Sequence, residues 1–221
     1  MAKHLDLEEQ EQLAQLKHFW QQYGNLISWV LLLVAAGVAS WNGYQYWQRN
    51  KAAQAGAMYE QLERAVLAAD NARIQQTWID LQQHPRTLQA QQAALLYARV
   101  QQDQSKPQEA RAALAWVIEK SSDEGYRTMA KLRMAGLLMD DGKLSEALAQ
   151  LEGNFTGEFA ALVADRCADI LLQQGQKEQA RAAYLQAYKG LHDRADYRRI
   201  VEIKLNALGV DPTALAVAPT S

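Results

Sequence analysis

The residue types that most often carry chemistry are few in this chain and stand apart. Cys167 is the single cysteine, so no internal disulfide or zinc pattern can form, and the count identifies no compartment. A thiol can act as a nucleophile, but this one falls on an apolar helical stretch, where cysteine behaves as a small core residue. The histidines, His4, His18, His84 and His192, are scattered, two near the N-terminus and two far downstream. Asp140-Asp141-Gly142-Lys143 opens like a calcium loop, yet the later ligands and the closing glutamate are missing. It reads as a turn between helices. Asp123-Glu124 reads as a helix start rather than as paired catalytic acids. There is no glycine-rich loop to cradle phosphate. The expectation is no enzyme, no cofactor and no metal, which leaves surfaces.

Those surfaces must be carried by helices. From Lys51 to Leu208 the sequence is rich in Ala, Gln and Leu with few prolines, and nothing alternates with a period of two. Turns are expected near Asp70-Asn71, His84-Pro85, Gln104 to Pro107, Asp141-Gly142, Gly153-Asn154, Gly175 and Gly190. Three segments superimpose when Ala110, Ala147 and Ala180 are taken as equivalent. Upstream by the same interval stand Ala98, Ala135 and Ala168, each preceded by a residue suited to burial: Tyr97, Met134 and Cys167. The turn between holds Ser105, Gly142 or Gly175, and four residues beyond the alanine come Leu114, Leu151 and Tyr184. A small residue in mid-helix allows two helices to cross closely. One hairpin cannot bury its own apolar face, so neighbours must stack. An earlier pair, about 52–67 and 72–83, is a degenerate member. The segment 197–208 places apolar residues at 197, 200, 201, 205 and 208, a stripe suited to closing the stack. After Gly209 and Pro212 the tail TALAVAPTS lacks charge and has no obvious partner, and 209–221 is expected to be disordered.

Ahead of this domain lies Leu26 to Trp47, which contains no charged side chain. At ~1.5 Å per helical residue it extends about 33 Å, enough for a hydrocarbon core of ~30 Å. Four of the six tryptophans fall between positions 20 and 47, as expected at membrane interfaces. A cleaved signal peptide would begin basic, whereas residues 1–25 hold two basic and four acidic residues. The segment reads as a retained single-pass anchor. Residues 1–25, with Leu5, Leu13, Leu16 and Phe19-Trp20, read as a polar tail containing a juxtamembrane amphipathic helix. Beyond it 21 basic and 21 acidic residues balance, which argues against nucleic acid as a partner. Within the anchor Ala35, Ala39 and Gly43 recur every four residues on one face, a pattern that admits close approach of another helix. Lys17 on one side against Arg49 and Lys51 on the other mildly favours a cytoplasmic C-terminal side, but large domains translocate regardless of such charges.

The repeat spacing resembles the tetratricopeptide repeat across about 89–191, although the large aromatic usual near its start is absent. An acidic tail, one anchor and degenerate repeats together resemble the YfgM family, the ancillary subunit of the bacterial SecYEG translocon. The stretches that carry the likeness are MAKHLDLEEQEQLAQLKHFWQQYGN and YRTMAKLRMAGLLMDDGKLSEALAQL. The fold class is then all-α: a single transmembrane helix followed by a tetratricopeptide-like α-solenoid of about four helical hairpins. The boundaries are 1–25, 26–47, 48–208 and 209–221. The resemblance implies a bacterial inner-membrane protein with a cytoplasmic N-terminus and a periplasmic domain. It implies as partners SecYEG, a PpiD-type periplasmic chaperone and exported polypeptides. First helices of stacked hairpins line a concave face that suits extended segments. By repeat position that face displays Arg99, Met129, Arg133, Met139 and Arg166, with Leu95, Leu132, Leu162 and Leu172 either beside them or in the inter-repeat core. The rival reading is a cytoplasm-facing scaffold of an envelope or signalling complex, tethered by the same anchor.

Overall fold

In the computed structural model, residues 7–192 and 196–212 are described, with side chains from residue 13 onward apart from Glu158. Every regular element among the described residues is a helix. They are α1 (Leu7–Leu67), α2 (Asn71–Leu81), α3 (Leu88–Asp103), α4 (Pro107–Lys120), α5 (Glu124–Asp140), α6 (Leu144–Gln150), α7 (Glu158–Gln173), α8 (Lys177–Gly190) and α9 (Asp196–Ala207). Leu5, expected on the amphipathic start, lies outside the described residues.

The chain divides into two units, 1–53 and 54–221. The described part of the first is the leading part of α1. It is long and apolar enough to cross a membrane, and its apolar side chains, including Leu31, Leu33, Val34 and Trp41, point outward with more than half of their surface free. Aromatic side chains flank that stretch, with Phe19 against Tyr23 at 5.1 Å and Tyr44 against Trp47 at 6.2 Å.

The second unit is built from hairpins whose starts and stops are local chemistry. Carboxylate or hydroxyl oxygens cap α2, α3 and α5: Asp70 accepts from the Arg73 N–H at 3.1 Å, Thr87 from Ala90 at 3.3 Å and Asp123 from Tyr126 at 3.0 Å. Helix α4 instead starts on Pro107, whose missing N–H costs nothing there. The stops repeat one motif. Ala69, Ser105, Gly142, Gly175 and Gly209 all sit at positive φ, between 52° and 80°. At each, two N–H groups fold back to the last helical carbonyls, as in Lys143 to Leu138 at 2.8 Å with Gly142 to Met139 at 2.9 Å. Two of the five positions lack glycine and still adopt the left-handed conformation.

The alanine seam forms as its spacing predicts. Ala98, Ala135 and Ala168 on the first helices, and Ala110, Ala147 and Ala180 on the second, are at most 3 % exposed. Around the seam lie two cores. One runs from Ala55, Leu62 and Ala65 at the end of α1 through Ile74 and Trp78 to Val163 and Ile170. Its centre is aromatic, with Trp78 stacked on Tyr97 at 5.4 Å and met edge-on by Trp116 at 5.2 Å. The other gathers Ala161, Ala168, Tyr184, Tyr188, Val201 and Leu205 from α7, α8 and α9.

Three features depart from expectation. Helix α6 ends at Gln150, so Leu151 is its C-cap rather than a helical residue, although it remains buried. Gly190 is the last residue of α8 rather than a turn; a Cβ there would stand 3.1 Å from that of Ala161, so the glycine permits a close crossing of α7 and α8. On α9, Ile200 is 47 % exposed instead of buried. The buried face is rotated to Tyr197, Val201, Lys204 and Leu205, because Lys204 has acidic partners on α7. Of the expected disordered tail, residues from 213 lie outside the described ones, while Val210 packs on the second core and Pro212 is buried.

Candidate functional site

The first helices of three successive hairpins, α3, α5 and α7, line a groove of about 350 Å³. Gln102 comes from α3, Leu132, Arg133, Gly136, Met139 and Asp140 from α5, and Arg166 and Gln173 from α7. Gly136 has open space where a Cβ would stand. The groove therefore has a shallow floor with amide, guanidinium and carboxylate groups along its walls.

Arg133 is the best positioned of these. Its Nη1 donates to the Leu95 carbonyl of α3 at 2.9 Å, bridging two hairpins. Desolvation pushes its pKa down, and the nearby positive charge of Arg99 pushes it the same way. The guanidinium still keeps its proton, and five N–H donors leave some free for an incoming group. Arg166 is half-exposed with an Asp169 oxygen at 4.0 Å. Arg99 extends into solvent toward Asp103 at 3.9 Å, a pair of little energetic weight. Met139 lines the groove while packing on the core. Met129, one turn before Arg133, is 37 % exposed and lies outside the groove's lining. Of the leucines expected on the same face, Leu95 is buried, and Leu132, Leu162 and Leu172 are partly buried. The groove is thus more polar than a Leu and Met surface would be. Such a wall suits the backbone of an extended chain, whose carbonyls and N–H groups need partners.

Cys167 is away from this groove. Burial pushes its thiol pKa up, which keeps it protonated and a poor nucleophile. Among the described residues no three of His, Cys, Asp and Glu come close enough together to hold a metal ion.

A polar cluster that the sequence reading did not anticipate joins α7, α8 and α9. Asp165, only 1 % exposed, accepts from the Tyr197 hydroxyl at 2.6 Å and from Lys204 at 2.8 and 2.9 Å. Lys204 also donates to Asp169 at 2.8 Å, and the Tyr184 hydroxyl donates to the same oxygen at 2.5 Å. Burial first, and then the hydrogen bond to a carboxylate, push both tyrosines well above the ordinary phenol range. They remain donors at any physiological pH. Arg181 adds two hydrogen bonds to the Leu208 carbonyl at the end of α9, at 3.0 and 2.6 Å. The cluster latches the last helix to the stack. Its signal in the sequence was two aspartates one turn apart inside an apolar helix.

On the leading part of α1, Ala35, Ala39 and Gly43 lie on one face, all exposed, and the space beside Gly43 is open.

Comparison with known proteins agrees with this architecture. A family model described as a tetratricopeptide repeat-like domain matches residues 17–210. The chain is 29 % identical to the ancillary SecYEG translocon subunit of Neisseria gonorrhoeae over 210 residues, 94 % of this chain and 100 % of that relative. It is 27 % identical to the subunit of the same name in Haemophilus influenzae, over 91 % of this chain and 98 % of the relative. The Escherichia coli protein of that name is 27 % identical, over 91 % and 97 %. No solved structure matches it.

Proposed function

Because the chain belongs to the YfgM family of tetratricopeptide repeat-like proteins, we propose that it is a non-enzymatic, membrane-anchored subunit ancillary to the SecYEG translocon. The observation that carries this reading is the union, in one chain, of an outward-facing apolar helix and stacked hairpins with a polar groove, over nearly the full length of relatives so named. An apolar surface of that extent is costly in water and favourable in lipid. Residues 26–47 span the inner membrane once, residues 1–25 remain in the cytoplasm, and the domain 48–208 works in the periplasm with 209–221 as its tail.

The groove between α3, α5 and α7 then receives segments of exported polypeptides. Arg133, Met139 and Arg166 form its wall, and Arg99 and Met129, outside that lining, are further candidates for contact with the client. Tethering supplies the mechanism: a weak binder held beside the exit site meets its clients at an effective concentration in the millimolar range. A PpiD-type periplasmic chaperone is the expected neighbour. The face of Ala35, Ala39 and Gly43 packs against a helix of the membrane partner.

Extraction in mild detergent followed by affinity purification tests the reading. Translocon components should be recovered with the chain, and Ala39→Leu should reduce that recovery. Recovery of the intact chain with no translocon component overturns the proposal. A reporter active only after export, fused after Ser221, tests the orientation; an inactive fusion favours the scaffold on the cytoplasmic side.

A further inference from the structure

Helices α4 and α8 each run 14 residues, whereas α6, their counterpart in the middle hairpin, runs only seven. The two missing turns are replaced by the loop 151–157, which reverses through Gly153 at φ 128° and Gly157 at φ 60°. On one side of this loop lies a groove of about 310 Å³, where Leu151, Phe155, Val163, Ala164 and Cys167 are joined by the amides of Asn154 and Gln186. On the other side of the same Gly153-Asn154-Phe155 stretch lies a second groove of about 370 Å³, with Glu124, Arg127 and Lys131 on its wall. Arg127 is already paired with Glu124. Among the described residues Lys131 reaches only the Glu152 carbonyl, at 3.5 Å, and the Phe155 ring, at 5.4 Å. Among the described charges that line the two grooves, its ammonium is the one with no carboxylate partner.

We infer that the shortened α6 creates a second protein-docking site, which takes a short peptide segment bearing a large apolar side chain next to a carboxylate. The apolar side chain enters the groove beside Cys167, and a volume of this size accepts such an anchor. The carboxylate passes across Asn154 and meets Lys131, forming a charge-assisted hydrogen bond. A basic segment would meet Lys131 as a like charge and be rejected. This site is separate from the α3–α5–α7 groove and does not depend on what that groove binds.

Cys167 lines the groove that takes the apolar side chain and is the chain's single cysteine, so its alkylation, slow because burial raises the thiol pKa, reports occupancy. The full chain in lipid nanodiscs is treated with N-ethylmaleimide in the presence of an acetylated Leu-Phe-Asp-Asp amide or its Leu-Phe-Lys-Lys counterpart. At ten times its dissociation constant, the acidic peptide should slow modification about tenfold. The basic peptide should leave it unchanged, and added salt should relieve the protection. Lys131→Glu should exchange the preference of the two peptides. Equal protection by both peptides, protection by neither, or an unchanged preference in Lys131→Glu overturns the proposal. So does protection that grows with protein concentration in the absence of peptide, which would make a second copy the occupant.

Discussion

The two cores of the repeat domain are held together in different ways. From the end of α1 to α7 the packing is apolar and aromatic, with Trp78, Tyr97 and Trp116 at its centre and alanines at every crossing. Between α7, α8 and α9 a buried carboxylate, a second carboxylate, a lysine and two tyrosines sit among the apolar groups. Burial is non-directional and tolerates small adjustments of angle. A charged network holds only one arrangement and becomes a liability when a member is missing. The stack therefore grows by a forgiving rule and closes by a demanding one, which fixes where α9 lies and ends the repeat.

Substitutions can break that contrast, and the largest effect should come from the aromatic core. Trp78→Ala removes a residue that is 5 % exposed and contacts two rings. It should cost about 3–5 kcal/mol, read as a lowered urea midpoint for the whole domain. If the loss is confined to α2 and α3, the cores are not one cooperative unit. Lys204→Met should come next, at about 2–4 kcal/mol, because Asp165 and Asp169 lose their cation while the partial exposure of Lys204 tempers the cost. Hydrogen exchange should localise this loss to α9 and its contacts on α7. Replacing Asp165, Asp169 and Lys204 together by apolar residues of similar size should recover most of it, as a purely structural latch requires.

Alkali sharpens the comparison. Tyr184 and Tyr197 have folded pKa values raised above the phenol value of the unfolded chain. Below that unfolded value of about 10 their stabilisation is fully present, and it is lost as pH rises further. Exchange protection of α9 should therefore fall from pH 10 upward by about 1.4 kcal/mol per unit for each tyrosine. Tyr184→Phe and Tyr197→Phe should flatten that dependence and leave the aromatic core's response unchanged.

The smallest effects belong to the turns, where both halves of the stack follow one rule. Gly142→Ala, at φ 73°, should destabilise by about 1 kcal/mol. Ser105→Gly should stabilise by a similar or smaller amount, since Ser105 already adopts φ 58° with a side chain. Thermal melts of the two variants should move in opposite directions. A fall in both would mean that Ser105 contributes a contact beyond its backbone.

Local chemistry made much of this legible without coordinates. The alanines at 98, 110, 135, 147, 168 and 180 announce hairpins because only a small side chain permits such crossings. Ser105, Gly142 and Gly175 mark reversals because each turn is decided within six residues. The uncharged run before the domain marks a helix suited to lipid by composition alone. The candidate groove was legible only in outline. Arg133, Met139 and Arg166 come together as their repeat positions suggested, but Met129 falls outside, Leu95 turns inward and Leu132 stays on the wall. A rotation of a few tens of degrees about the helix axis separates a wall from a core. That rotation is set by the neighbouring helix, not by the helix itself.

What the sequence by itself determined is therefore the kind of molecule: helices, their pairing, their turns and an apolar leading segment, all of which follow from interactions between residues near in the chain. The tertiary structure alone decided which face each helix presents, where α6 stops short, and that Lys204 rather than Ile200 turns inward on α9. The last of these depends on partners 35 to 39 residues away, Asp169 and Asp165. No local pattern encodes a balance struck between side chains that meet only after the stack has formed.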